Sequence, residues 1–152
     1  MDQRSTLEPF LIADHHSNEV SMLREVLQAS GVKNPVHVVT DGHEFTEYLQ
    51  GHGAYADRTE YPMPQLTLIE WDLPRRSAME ILRWLREQPQ HSMLPVMVWT
   101  RAEPSDTELK EAYQIGLNGF FVKPKVKADL PAVVRLVFEY WKLAEKPLIR
   151  KR

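Results

Sequence analysis

The chain has 152 residues, 43% of them hydrophobic and 26% charged, and 19 Lys and Arg against 21 Asp and Glu give a net charge of −2. This length is typical of one domain, and the near-neutral charge excludes the strongly basic surface typical of nucleic-acid binding. The absence of Cys excludes a disulfide framework, a thiolate metal site and a Cys nucleophile. Because no apolar run has the length of a membrane span, we expect a soluble protein of the cytoplasm.

Five short apolar runs predict the strands of a sheet. Each run is almost continuously apolar rather than alternating, which is typical of parallel strands that are buried on both faces. A segment with helical spacing of apolar residues follows each run, so the order strand–helix occurs five times. This order predicts an α/β fold with a flavodoxin-like, doubly wound, five-stranded parallel sheet. The runs cover residues 10–13, 36–39, 66–69, 96–99 and 119–122.

Local signals predict where the helices begin and end. Ser77 and Ser105 each precede a helical pattern and are followed three residues later by a Glu, which is the pattern of a capping box. The first helix is expected to end near Gly31, and the second to follow the turn at residues 41–42. The last helix is expected to begin near Asp129.

One domain accounts for most of the chain. We place it at residues 9–143, between an N-terminal tail of residues 1–8 and a basic C-terminal tail of residues 144–152. The polar stretch at residues 50–64, which is rich in Gly, Tyr and Pro, is predicted to be a surface loop.

The residues at the ends of the strands carry the candidate chemistry. In a doubly wound sheet, ligands bind outside the carboxyl ends of the strands. We therefore expect the side chains at these ends to meet in one crevice. They are Asp14 and His15 after the first strand, Glu70 after the third, Thr100 after the fourth and Lys123 after the fifth.

These residues and their spacing resemble the response-regulator receiver domain of two-component signalling. The matching features are Glu70 four residues before Pro74, Thr100 after the fourth strand, and Lys123 with Pro124 after the fifth. The resemblance covers nearly the whole chain and implies the (βα)5 receiver fold. The long loop before the third strand and the extended last helix are similar to stand-alone receivers that partner phytochrome-type histidine kinases.

The resemblance also implies a role for each position. The second carboxylate of an acidic pair normally helps to hold Mg²⁺, and the pocket Lys is normally joined to its Pro by a cis bond. The implied positions are Glu70 for the phosphoacceptor, Asp14 and His15 for the acidic pair, Thr100 and Phe120 for the switch, Lys123 and Pro124 for the pocket lysine, and Trp71, Asp72 and Arg101 for the pocket rim.

Two positions depart from the receiver pattern. Glu70 stands where the family has Asp, and its extra methylene displaces the carboxylate by roughly 1.3–1.5 Å. A displacement of about 1 Å can cost about two orders of magnitude in rate. His15 replaces a hard oxygen ligand with a nitrogen that suits Mg²⁺ poorly. We therefore expect no efficient aspartyl-phosphate chemistry, no resident metal or cofactor, and weak or absent Mg²⁺ binding.

The hypothesis from these departures is a pseudo-receiver. Glu70 would reach toward Thr100 and Lys123, as a phosphoryl group does in an active receiver, and hold the domain in one signalling state. Phe120, which lacks a hydroxyl, would turn inward by apolar burial alone. Arg101 would block the pocket or pair with Glu70.

Several alternatives remain open. Glu70 could be an inert carboxylate in a decayed site, or the chain could be phosphorylated at Glu70 or at a substitute acceptor such as Asp72. His15 and His16 with Asp14 and Glu70 form a ligand set for a transition metal, although adjacent His residues do not naturally face one point. A small metal-assisted hydrolase is a weaker hypothesis, since the sequence has neither a Gly-rich phosphate loop nor a G-x-S-x-G motif.

The receiver core leaves little chain for an output domain. We therefore expect a non-enzymatic module that signals through protein contacts, without binding nucleic acid or membrane. The resemblance implies a histidine kinase, a phosphotransfer protein or a downstream signalling protein as partner. A homodimer is a second expectation, through a face with Tyr113, Phe120, Tyr140 and Trp141.

Overall fold

The computed structural model describes residues 8–143. All five predicted strands are present, and they form one parallel sheet with the order β2-β1-β3-β4-β5. Because β1, β3, β4 and β5 follow one another in this order, their carboxyl ends lie side by side. The strands are β1 (Phe10–Ala13), β2 (Val36–Val39), β3 (Leu66–Glu70), β4 (Val96–Thr100) and β5 (Gly119–Val122).

Five α-helices connect and cover the strands, with α1 and α5 on one face and α2, α3 and α4 on the other. The core has two layers because neighbouring residues of a strand point to opposite faces: Leu11 packs in one layer and Ile12 in the other. The helices are α1 (Ser17–Ala29), α2 (Gly42–Gln50), α3 (Ala78–Glu87), α4 (Asp106–Ile115) and α5 (Leu130–Leu143).

The predicted helix starts are confirmed by their caps. The Ser105 side chain accepts a hydrogen bond from the Glu108 N–H, and the Glu108 carboxylate accepts one from the Ser105 N–H, which completes the capping box. Ser77 accepts from the Glu80 N–H, but the Ser77 hydroxyl bonds the Glu80 carboxylate, so this cap is only half a box. A 3₁₀ turn over Lys127–Asp129 precedes α5.

The segment between α2 and β3 is more ordered than a polar surface loop. It contains a 3₁₀ turn over Gly53–Tyr55, and Tyr55, Tyr61 and Met63 pack against the core. The hydroxyl of buried Tyr48 donates to the Pro62 carbonyl at 2.9 Å and lies 3.1 Å from His37 Nδ1. We call His37, Tyr48, Tyr55 and Tyr61, whose rings lie with centroids 5.0–5.9 Å apart, the tyrosine cluster.

The β3–α3 loop is attached to the start of α2. The Gly42 N–H donates to the Pro74 carbonyl at 3.0 Å. A Cβ at position 42 would lie 2.3 Å from both the Cβ and the carbonyl oxygen of Arg76, so only Gly allows this approach. The β3–α3 loop forms one wall of the crevice at the strand ends, and the backbone of α2 holds this wall in place.

The predicted tails at residues 1–8 and 144–152 lie, apart from Glu8, outside the described residues, and the domain boundaries stay a prediction. Within residues 8–143, every helix is too short or too polar to cross a membrane.

Candidate functional site

Four predicted residues are buried where the strands end. Asp14, Glu70, Thr100 and Lys123 are each at most 4% exposed. The sheet order brings them together, since β1, β3, β4 and β5 are neighbours. The predicted convergence is therefore confirmed for these four residues, and we call the space between them the pocket.

The ammonium group of Lys123 is the centre of the pocket. It donates directly to Glu70 Oε2, to Glu19 Oε1 at 2.7 Å, and to Asp14 Oδ2 at 3.4 Å. Its Nζ also lies 4.4 Å from the centre of the Trp99 ring, which adds a cation–π contact. One lysine thus pairs with three buried carboxylates and compensates part of their charge.

The pKa values of Lys123 and Glu70 reflect this competition between burial and charge. Burial lowers the pKa of Lys123, but the hydrogen bonds to Glu19 and Glu70 and the negative charge of Asp14 outweigh burial, so its pKa is raised overall. Burial raises the pKa of Glu70, and the opposing effect of Lys123 does not fully offset it. Lys123 therefore stays protonated at neutral pH, and its pairing is what makes a buried Glu70 carboxylate tolerable.

His15 was wrongly assigned to the pocket. Its side chain is exposed, and its ring lies against the His16 ring at 4.1 Å. His16 takes the place next to Asp14 instead: its backbone N–H and its Nδ1 both lie 2.8 Å from Asp14 Oδ1. The turn after β1 therefore directs the second of the two adjacent His residues inward.

Glu19 is the pocket residue that the sequence analysis missed. It lies in the first turn of α1, and helical side chains tilt toward the N-terminus, so its carboxylate reaches back to the strand ends. A weaker signal was available, because an acidic residue in the first turn of a helix lies near the helix N-terminus, and α1 begins directly after the end of β1.

The expected contact of Thr100 with Glu70 was wrong, and of the two alternatives given for Arg101, pairing with Glu70 is not found among the described contacts. The Thr100 hydroxyl accepts a hydrogen bond from the Ala102 N–H at 3.3 Å and lies buried without bonding Glu70. The guanidinium of Arg101, whose side chain is 54% exposed, hydrogen-bonds Glu19 Oε2. Arg101 thus lies at the pocket mouth and pairs with the carboxylate from α1.

The remaining predicted site residues lie around the pocket. The half-buried rings of Trp71 and Phe120 lie with centroids 5.2 Å apart, and both pack against the core layer under α3 and α4. Asp72 is exposed beyond the end of β3. Pro124 is half-buried, and the described residues contain no cis peptide bond, so the cis bond implied before Pro124 is not found.

Comparison with known proteins assigns this fold and site to a family. A family model described as the response regulator receiver domain matches residues 10–135. The chain belongs to the response regulator receiver domain family. It is thus a receiver of two-component signalling.

Individual relatives agree with this assignment. The receiver is 24% identical to response regulator Rcp1 of Synechocystis sp. over 140 residues, which cover 92% of each chain. Among solved structures, it is similar to the Mn²⁺-bound form of Rcp1, with a TM-score of 0.84, 22% identity, and 93% and 99% of the two chains covered. It is also similar to response regulator RPA3017 in red light signaling of R. palustris, with a TM-score of 0.82, 29% identity and the same coverage.

The receiver has a group of side chains that could hold a metal ion. Asp14, His16, Glu19 and Glu70 each offer one ligand atom, and these atoms all lie within 4.8 Å of one another. Mg²⁺ prefers a shell of oxygens, whereas an imidazole nitrogen suits ions such as Zn²⁺ or Fe²⁺. Lys123 already contacts three of these carboxylates. Any cation bound here would therefore compete with Lys123 for the three carboxylates.

The predicted contact face is only partly exposed. Tyr113 and Tyr140 are exposed, and the Tyr113 hydroxyl accepts from the Phe120 N–H at 3.1 Å. Trp141 was wrongly placed on this face: it is buried under the sheet, and its Nε1 donates to Gln65 Oε1 at 3.1 Å. Leu136 and Leu143 extend the exposed apolar stripe of α5 instead.

Proposed function

We propose that this receiver is a pseudo-receiver, in which Glu70 pairs permanently with Lys123 and holds the domain in one signalling state. The observation that carries the proposal is the direct hydrogen bond between Lys123 and Glu70, both at most 4% exposed. In phosphoryl transfer, cations stabilise the negative charge of the transferring group. Here the pocket cation is already hydrogen-bonded to carboxylates, one of which stands at the acceptor position.

The metal side of the pocket supports the same proposal. Aspartyl phosphorylation needs a hard cation beside the acceptor, and the donor set here includes His16 and shares its carboxylates with Lys123. We propose that Mg²⁺ binding is weak and that this receiver needs no cofactor. It would act without catalysis, through contacts with other proteins.

We propose that the contacts are made by the α4–β5–α5 side. Tyr113, Leu136, Tyr140 and Leu143 are large apolar residues with 47%, 65%, 67% and 85% exposure, more than this helix pair needs for its own packing. A histidine kinase, a phosphotransfer protein or a downstream signalling protein is the proposed partner, and a second copy of the chain is the alternative occupant.

Phosphoryl analogues test the proposal directly. The protein is incubated with Mg²⁺ and either acetyl phosphate or beryllofluoride, followed by intact mass measurement and isothermal titration. We expect no added phosphoryl mass and no tight beryllofluoride binding. In the double variant His16→Asp/Glu70→Asp, the imidazole beside Asp14 is replaced by a hard oxygen ligand and the family acceptor is restored. This variant is expected to gain both properties. A native chain that takes up phosphate would refute the proposal, and Asp72→Asn in that chain then shows whether Asp72 is the acceptor.

A second variant tests whether Glu70 sets the signalling state. Glu70→Gln keeps the shape of the side chain but removes the charge that pairs with Lys123. We expect an altered sedimentation coefficient or an altered affinity for the histidine kinase found by co-purification. Glu87→Gln, an acid-to-amide change at the exposed last residue of α3, is the matched control. An unchanged oligomer and affinity in Glu70→Gln would leave only a decayed site.

A further inference from the structure

The carboxylate of Glu19 joins two segments of the chain, the β4–α4 loop and the residue that follows β5. Its Oε1 accepts from Lys123 at 2.7 Å and its Oε2 accepts from Arg101. Lys123 follows β5, whereas Arg101 lies in the β4–α4 loop at residues 101–105, so one side chain of α1 bonds to both. Glu19 and Lys123 are 8% and 4% exposed, so their bond is shielded from solvent, whereas the Arg101 side chain is half-exposed.

Glu19 supplies a negative charge that the turn after β1 does not, because His15 stands at the second position of the acidic pair. The turn after β1 contributes Asp14, which lies 3.4 Å from Lys123, and the neighbouring His15 points to solvent. Glu19 approaches Lys123 more closely, at 2.7 Å. The carboxylate expected on the strand end is therefore supplied by the first turn of the following helix.

The same carboxylate connects the β4–α4 loop to the pocket. The Thr100 hydroxyl bonds within its own loop to Ala102, so it does not connect the loop to Glu70. Arg101 makes that connection through a continuous series of charge-assisted hydrogen bonds, from Arg101 to Glu19, to Lys123 and to Glu70.

We propose that Arg101 and Glu19 are the positioning residues of this pocket: Glu19 orients Lys123 toward Glu70, and Arg101 holds Glu19 and fixes the β4–α4 loop over the pocket mouth. The proposal deepens the pseudo-receiver function and rests on it. It makes Arg101 a second barrier to a phosphoryl group, separate from Glu70. Restoring the acceptor Asp alone would then leave access to the pocket restricted.

Beryllofluoride binding with Mg²⁺ measures this second barrier. The background is His16→Asp/Glu70→Asp, to which Arg101→Ala, Arg101→Lys or Arg135→Ala is added. Arg135 is an exposed arginine of α5 and serves as the matched control. We expect Arg101→Ala to tighten binding about tenfold, which corresponds to about 1.4 kcal/mol. We expect Arg101→Lys to fall between the two, and Arg135→Ala to change nothing. Equal binding with and without Arg101 overturns the proposal.

The native chain provides an independent readout that needs no rescued pocket. Trp99 lies 4.4 Å from Lys123 Nζ, so its indole N–H resonance reports the position of the ammonium group. We expect Glu19→Gln and Arg101→Ala to shift this resonance and that of the Lys123 ammonium, Arg101→Lys to recover part of the shift, and Arg135→Ala to leave both in place. Unshifted resonances in both variants overturn the proposal.

The two proposals fail in different measurements. Beryllofluoride binding by the native chain refutes the pseudo-receiver function, whereas the role of Arg101 is decided by comparing variants with and without it.

Discussion

The pocket and the tyrosine cluster are two buried polar networks of the same domain. One satisfies its polar groups by pairing opposite charges, and the other by hydrogen bonds between neutral groups. In the pocket, Lys123 pairs with three carboxylates, and every contact depends on charge. In the tyrosine cluster, the Tyr48 hydroxyl bonds a carbonyl and an imidazole, and burial raises the pKa of Tyr48, so it stays neutral. A neutral network loses one bond when one group is removed, whereas a charged network leaves uncompensated charge behind.

The largest expected effect is the removal of the pocket cation. In Lys123→Met the side chain keeps most of its volume but leaves Asp14, Glu19 and Glu70 without their shared partner. We expect a loss of about 3–5 kcal/mol in the free energy of unfolding, measured by urea denaturation. A loss below about 1 kcal/mol would show that the carboxylates are not held by charge.

The corresponding change in the tyrosine cluster is expected to cost less. Tyr48→Phe removes only the hydroxyl, and the Pro62 carbonyl and His37 lose a partner. We expect a loss of about 1–2 kcal/mol, again from urea denaturation. If Tyr48→Phe destabilised the domain as much as Lys123→Met, the contrast between the two networks would fail.

The pH dependence of stability tests the charged network through Glu70. Because the pKa of Glu70 is raised by burial, the folded state holds its proton to higher pH than the unfolded state. Its contribution to stability is therefore greatest below the ordinary Glu pKa of about 4.3 and declines as pH rises through the folded pKa.

We expect the stability difference between the native chain and Glu70→Gln to fall as pH rises from about 4, in thermal unfolding at several pH values. Lys123 stays protonated throughout this range because its pKa is raised. His37 and His91, whose pKa values burial lowers, contribute an opposite slope below their ordinary pKa, but they are common to both proteins and cancel in the difference. A flat difference would contradict the assigned pKa direction.

The smallest expected effect comes from an ion pair at the surface. Arg83 on α3 pairs with Glu111 on α4, and both side chains are more than 40% exposed. We expect Glu111→Ala to change the free energy of unfolding by about 0.2–1 kcal/mol, with the difference vanishing in high salt. A larger effect would mean that exposure is a poor guide to the strength of charge pairs in this domain.

The sequence predicted those parts of the molecule that depend on local patterns. The strands followed from apolar runs, and the caps at Ser77 and Ser105 from a pattern four residues long. Asp14, Glu70 and Lys123 were correctly brought together because the sheet order determines which strand ends are neighbours. Information about fold and information about the pocket thus came from the same alternation of strands and helices.

The wrong or missing predictions concern side-chain directions and contacts that local sequence patterns do not determine. His15 and His16 are adjacent, and only the path of the turn decides which one faces Asp14. Trp141 was placed on the outer face because its burial depends on the packing of α5 over the sheet and on Gln65. Glu19 and Arg101 bond across 82 positions of sequence, and nothing in either local segment indicates the pairing.

Because of the hydrogen bond between Gly42 and Pro74, the loops on the two sides of the pocket are held by different kinds of contact. On one side, the β3–α3 loop is tied by a backbone hydrogen bond at a point where no larger residue fits. On the other side, the β4–α4 loop is tied to α1 by the half-exposed side chain of Arg101. The first wall is therefore held by close backbone packing, whereas the second is held by one ion pair that a carboxylate of a partner protein could replace.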